Sequence, residues 1–369
     1  MSRKIGITGF YGAGNLGDEA ILTSLLAHLR SRGDFSFAVF GVNPEQVTAT
    51  HGVPAYRFSL RRPWRDLRAL WGLDAMVIGG GGLLHDYWPG VPARYLAWAR
   101  CCRLAGVPLY LHAVGVGPWH RRDTAGRYRA LFRLASDITV RDRGSLELAT
   151  QAGGKARLCP DPALGLEPPP ADSLPTTLSP LGLRPGGYAL IAPRAWFESG
   201  PQAVQREGSM SATAALLAEV ADVLQAEGLR PVFLRMHAGR DEHICRLVQG
   251  AMRNPEGTLI LDPGTVPDCL RLVAGAALVV AMRLHALLLA CLCAVPAVPL
   301  AYDAKVSEGM EACGQGWLSL TRATTEAVLG LAKQAAEPSA RAAVAAQVAA
   351  LRERLQTEYD ALAGVLAGG

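Results

Sequence analysis

Four things are missing from this 369-residue chain: paired cysteines, a phosphate-binding loop of the GxxxxGK[ST] kind, a dense basic block and a long uncharged apolar run. Each absence closes off a class of function. The eight cysteines include no CxxC spacing; Cys101 and Cys102 are adjacent, and Cys291 and Cys293 lie in an apolar stretch. That pattern argues against both a metal centre and a disulfide framework, and it points to a reducing cytosol. The net charge is only +5 and the arginines are spread along the chain, so no nucleic-acid partner is expected and a small anionic substrate fits better. The most hydrophobic stretch, "LRLVAGAALVVAMRLHALLLACLCAVPAVPLAY", is cut near its middle by Arg283 and His285. Charges there are costly in lipid, so it reads as a buried strand, a turn and a buried helix. The opening "MSRKIGITGFYG" has a basic pair without a sustained apolar core, so no secretory signal is expected. No repeat of solenoid length is present.

What is there is alternation. Half of the residues are hydrophobic, enough for two cores. Short apolar runs, "KIGITGF", "FSFAVFG", "AMVIGGG", "PLYLHAVGV" and "DITVRD", alternate with helical patterns, the signature of parallel strands joined by crossover helices. A stretch rich in Pro, Ser and Gly follows, and then a second alternation through "YALIAPR", "RPVFLRMH", "TLILD", "ALVVAMR" and "AVPLAYD". The expectation is an α/β protein of two doubly wound, Rossmann-like domains facing across a cleft. The expected boundaries are 1–168 and 187–322, with a linker at 169–186 and C-terminal helices at 323–369. A long exposed coiled coil fits the Ala-rich end as well as a packed helix does.

The stretch "ITGFYGAGNLGDEAIL" poses the functional question. Its glycines, Gly12, Gly14 and Gly17, suit a loop that lets backbone approach a ligand, and the helix expected to begin near Asp18 favours an anion there. Asp18 and Glu19 already occupy that position and repel a pyrophosphate. The alternative is that Asp18 only caps the helix. Cations follow expected strands at three places: Arg141 in "TVRDRGS", Arg283 with His285 in "MRLH", and Lys305 in "YDAKV". A ligand carrying phosphate and carboxylate needs about that many charge-assisted contacts. Arg141, near Asp137 and Asp142, reads equally as a surface salt bridge; a core histidine bonded to a carbonyl is the alternative for His285; Lys305 alone says little. His85 with Asp86, His112, and His237 with Asp241 and His243 are weaker polar candidates, and their spacing matches no metal-ligand pattern.

In order along the chain, "GNLGDEAIL", "VIGGGGLLHD", "AVGVGP", "TVRDRGS", "CPDPAL", "MRLHALLLA" and "AYDAKV" resemble the polysaccharide pyruvyl transferases, most closely the bacterial CsaB type. The resemblance runs from about Ile5 to Lys305. It implies a glycosyltransferase-B-like pair of domains and transfer of a pyruvyl group from phosphoenolpyruvate to a sugar as a ketal. It implies no cofactor, phosphoenolpyruvate being a substrate. The implied acceptor is N-acetylmannosamine in a lipid-linked cell-wall precursor at the cytoplasmic membrane face, with the product anchoring surface-layer proteins. The family's donor-binding residues match here as Arg141, His285 and Lys305; Arg283 is added on charge grounds. His285 is then acid or phosphate ligand, and Asp18 or Glu19 orients or deprotonates the acceptor hydroxyls. Gly12, Gly14, Asn15, Gly17, Asp18, His85 and His237 are expected on the acceptor side. A lipid-linked acceptor also suggests peripheral membrane contact through "LRRPWRDLRALWG", a segment that reads equally as an ordinary solvated helix. The sequence gives no oligomeric state.

Overall fold

The computed structural model describes residues 2–57, 70–195 and 207–368. The chain divides into two compact units, one of residues 1–166 with 352–369 and one of residues 167–351.

The first unit is built on seven parallel strands: β1 (Arg3–Thr8), β2 (Phe35–Gly41), β3 (Ala55–Arg57), β4 (Ala75–Gly79), β5 (Leu109–Val114), β6 (Asp137–Val140) and β7 (Arg157–Leu158). Their order across the sheet is β3-β2-β1-β4-β5-β6-β7, so the winding reverses between β1 and β4. β4 is buried at all five positions, as a central parallel strand covered on both faces must be. The helix Leu16–Arg30 turns Ile21, Leu22, Leu25, Leu26 and Leu29 inward at helical spacing, and all five are at most 1% exposed. On the other side of β4, Tyr95, Trp98, Tyr128 and Phe132 fill the core.

The second unit repeats the plan with six strands: β8 (Tyr188–Ala192), β9 (Arg230–Leu234), β10 (Leu259–Leu261), β11 (Leu278–Ala281), β12 (Ala297–Ala301) and β13 (Leu318–Ser319). The order β10-β9-β8-β11-β12-β13 places its reversal between β8 and β11. The interrupted hydrophobic stretch becomes β11, a turn at Met282 and Arg283, and the buried helix Leu284–Leu292. Among the described residues no helix is long and apolar enough to cross a membrane. In "LRRPWRDLRALWG", Trp64 and Leu67 lie outside the described residues, Leu70 is fully buried and Trp71 is exposed.

The Pro-rich stretch expected as a linker packs within the second unit: Leu178 is fully buried and the Thr177 hydroxyl donates to Asp268 at 2.7 Å. The Ala-rich end forms two helices, Thr325–Ala336 and Pro338–Leu366, and the last eighteen residues count with the first unit. There Tyr359 is fully buried, its ring stacked on His28 at 4.4 Å and its hydroxyl 3.0 Å from that of Ser24. Arg157 to Glu358 at 2.9 Å and Arg32 to Asp360 at 2.5 Å tie the same helix down.

Candidate functional site

In the first unit, the carboxyl end of the sheet is where the glycine loops gather. The loop after β1 reaches its helix through Gly12 and Gly14, both at φ +71°. A Cβ at Gly12 would stand 2.4 Å from the Asn43 carbonyl oxygen, so this position admits only glycine. The helix starts at Leu16 with Asn15 as its cap, the Asn15 side chain accepting from the Gly17 N–H at 3.3 Å. Asp18 is therefore not the cap. Its carboxylate instead accepts from the Asn15 amide and lies against the turn after β4, where a Cβ on Gly81 would come within 2.6 Å of Asp18 Oδ1.

Glu19 has a different task. Its Oε1 accepts from the Gly12 N–H at 2.7 Å, its Oε2 lies 2.7 Å from His51 Nε2, and the residue is 5% exposed. Both oxygens are engaged in holding the loop shut.

Arg141, which follows β6, enters the same neighbourhood. A Cβ on Gly115 would lie 3.1 Å from its guanidinium, and one on Gly82 would lie 3.4 Å away. Its Nε is 3.3 Å from Asp142 and its Nη1 3.4 Å from Asp161, with the side chain only 6% exposed. It is a buried charge in a carboxylate cradle, not a surface salt bridge. Burial pulls its pKa down, and Asp142 and Asp161 more than reverse that, so it stays charged. Burial first, and then the Glu19 carboxylate, push Asp18 up to about 7, while Arg141 and Asn15 pull the other way. A carboxylate poised near neutrality beside a fixed cation suits proton transfer.

His85 lies farther along the loop after β4. Its Nδ1 accepts from the Tyr87 N–H at 3.3 Å, its carbonyl accepts from the Tyr128 hydroxyl at 2.7 Å, and its ring lies 5.0 Å from that of Tyr87. Its neighbour Asp86 accepts from His120 N–H, Arg121 N–H and Thr124 hydroxyl at 2.6 to 2.8 Å, staking the loop to the next helix.

The second unit gathers cations at the corresponding end. Arg283 follows β11 and occupies the cap position of the helix Leu284–Leu292 without a side-chain cap bond, while His285 is the second residue of that helix. The Arg283 guanidinium donates to Asp241, which is fully buried. Burial lowers the pKa of Arg283 and Asp241 opposes it. Lys305 follows β12, its ammonium 3.4 Å from Asp303 and 5.3 Å from the centre of the Tyr302 ring. Arg194, two residues beyond β8, donates to the Tyr302 hydroxyl and lies 5.0 Å from the same ring. Arg194 escapes a reading by sequence motif; the signal for it is a cation set directly after an apolar strand. Arg141 and the glycine loop of Gly12 to Gly17 thus share the first unit, whereas Arg283, His285, Lys305 and His237 belong to the second.

Among the described residues no group of three or more His, Cys, Asp or Glu is placed to hold a metal ion. The polysaccharide pyruvyl transferase family matches residues 15–304, from the Asn15 cap to the residue before Lys305. The chain belongs to that family. Members of the polysaccharide pyruvyl transferase family carry, by their name, a transferase activity directed at polysaccharide. No curated protein matches the chain in sequence. Similar solved structures include the Staphylococcus aureus MnaA–UDP complex, with TM-score 0.61, 12% identity and 96% of this chain and 90% of that one covered. Anabaena Alr3699/HepE in complex with UDP-glucose gives TM-score 0.63 and 13% identity over 99% of both chains. The UDP-GlcNAc 2-epimerase of Methanocaldococcus jannaschii gives 0.62 and 11%, covering 91% of this chain and 93% of that one. At these identities the likeness bears on fold alone. It is that of glycosyltransferase-B-like enzymes, and this pyruvyl transferase family chain shares their pair of Rossmann-like domains.

Proposed function

We propose that the protein transfers the pyruvyl group of phosphoenolpyruvate to two hydroxyls of a sugar, forming a ketal and releasing phosphate. Family membership supports the pyruvyl group. The observation that carries the donor is the cationic rim of the second unit, where Arg283, His285 and Lys305 follow neighbouring strands and the helix after Arg283 offers its N–H groups.

The chemistry follows from the enol ester. A sugar oxygen adds to C2 as a proton arrives at C3; the C2–O bond to phosphate then breaks, and the second hydroxyl closes on C2 and sheds its proton. Arg283 and Lys305 stabilise the departing phosphate, and His285 is the phosphate ligand or the acid. In the first unit Asp18 takes the hydroxyl proton and Arg141 keeps it acidic enough to do so, with the Gly12 to Gly17 loop beside the sugar. The acceptor in this reading is N-acetylmannosamine of a lipid-linked wall precursor, handled at the inner membrane face as in the CsaB type, where the product anchors surface-layer proteins.

The test is phosphate release from phosphoenolpyruvate with and without a lipid-linked N-acetylmannosamine disaccharide. Release that depends on the acceptor and is lost in His285→Ala and Lys305→Ala is expected. A second reading, a nucleotide-sugar glycosyltransferase, draws on the UDP and UDP-glucose held by the similar structures. It is favoured instead if the acceptor elicits no phosphate and UDP appears from a UDP-sugar.

A further inference from the structure

His237, at the turn beyond β9, is 8% exposed, and neither ring nitrogen has a hydrogen-bond partner among the described residues. A neutral imidazole carries one donor and one acceptor whichever tautomer it adopts. Burying both unpaired is unfavourable, and such a group calls for a ligand or an explanation. Its surroundings are cationic. Arg283 beyond β11, Arg194 beyond β8 and Arg240 in its own turn all act on it, and Asp241 opposes them. Burial, then Arg283 and Arg240, hold its pKa down to about 4, so near pH 7 the ring is neutral and keeps its N–H.

The backbone here is fixed. Asp241 accepts from the His237 N–H at 2.9 Å and from the Arg283 guanidinium, so one buried carboxylate sets both residues in a common frame. β9, β8 and β11 are consecutive in the sheet, and β8 and β11 flank its reversal. That is the crevice where open parallel sheets bind ligands.

We propose that His237 is a hydrogen-bonding member of a phosphoryl subsite in the second unit, completed by the guanidinium groups of Arg194 and Arg283. Two forked cations and one uncharged donor match a group with three terminal oxygens. The subsite moves His237 from the acceptor to the donor. In its phosphoenolpyruvate form it rests on the function proposed above, but a nucleotide sugar would present the same phosphoryl chemistry.

Calorimetric binding of phosphoenolpyruvate, UDP and inorganic phosphate separates these sources, measured for wild type, His237→Phe, His237→Gln and Arg194→Met. Thermal unfolding is recorded in parallel. The expected result is a loss of at least about tenfold in affinity for His237→Phe and for Arg194→Met. His237→Gln, which keeps an N–H donor, stays within about threefold. Binding of UDP with this dependence, and none of phosphoenolpyruvate, supports the subsite while removing the donor assigned above. A folded His237→Phe that binds as wild type overturns the proposal, as does a wild type that binds none of the three. Should His237→Phe fail to fold, an Arg194→Met protein of unchanged affinity overturns it equally.

Discussion

Asp18 is the residue on which the proposed chemistry turns, and its environment makes a signed prediction. As a base it must be ionised, so kcat/KM is expected to rise with pH through a limb near 7, where burial and Glu19 have placed it. Arg141→Gln removes a cation that favours ionisation, so the limb moves to higher pH; Asp18→Asn lowers kcat by about 10²–10⁴-fold. The same shift acts on stability in the opposite sense to a salt-bridged carboxylate. Folded Asp18 holds its proton up to about pH 7, against 3.8 for the ordinary side chain, so stability falls as pH rises across that window and levels off above it. Denaturant unfolding of wild type and Asp18→Asn between pH 4 and 8 measures the difference, which the variant should lack. Asp18, Arg283 and His285 stand out in the sequence because each interrupts an apolar or glycine-rich pattern, whereas Lys305 stands out only through the family resemblance. The separate work of Glu19 was not legible there, since the Gly12 N–H and His51 that engage it are set by the path of the loop. Arg194 follows an apolar strand as Arg283 does, but no motif singles it out from the other arginines.

Between the elements, the turns after β1 and β4 set the geometry around Asp18. Gly81 has φ +77°, and a Cβ there would meet Asp18 Oδ1 at 2.6 Å. Gly81→Ala is therefore expected to displace the carboxylate as well as strain the turn. A cost of about 1–3 kcal/mol in unfolding free energy should accompany a loss of kcat of about 10²-fold, read from denaturation curves and steady-state rates. A loss of stability with kcat unchanged would remove Asp18 from the reacting centre. The long central strands were readable as apolar runs between turn residues. β3, β7 and β13 were not, since two or three edge residues carry no period. The helix start was read near Asp18, yet Asn15 wins the cap, because its side chain reaches the Gly17 N–H and leaves Asp18 to face the glycine turns.

Across the molecule, the helix Pro338–Leu366 begins in the second unit and ends in the first. Its Ala-rich pattern fitted a packed helix and an exposed coiled coil alike and could not say which surface it covers, because Ser24 and His28, the partners of Tyr359, lie near the other end of the chain. Tyr359→Ala is expected to cost about 3–5 kcal/mol, by the measure of other large buried aromatics. Hydrogen exchange should show the loss concentrated in the helix Leu16–Arg30 and spare strands β8 to β12. Uniform exchange throughout would mean that this contact does not belong to the first unit alone.

That shared helix also sets an order of events during synthesis. Residues 167–351 form a unit that is complete once they have left the ribosome, whereas residues 1–166, made earlier, wait for residues 352–369 to cover Ser24 and His28. The portion translated first is thus the portion that closes last, and a nascent chain ending at residue 351 and extended by a linker that brings that residue out of the ribosome should expose the first unit to protease while the second already resists it.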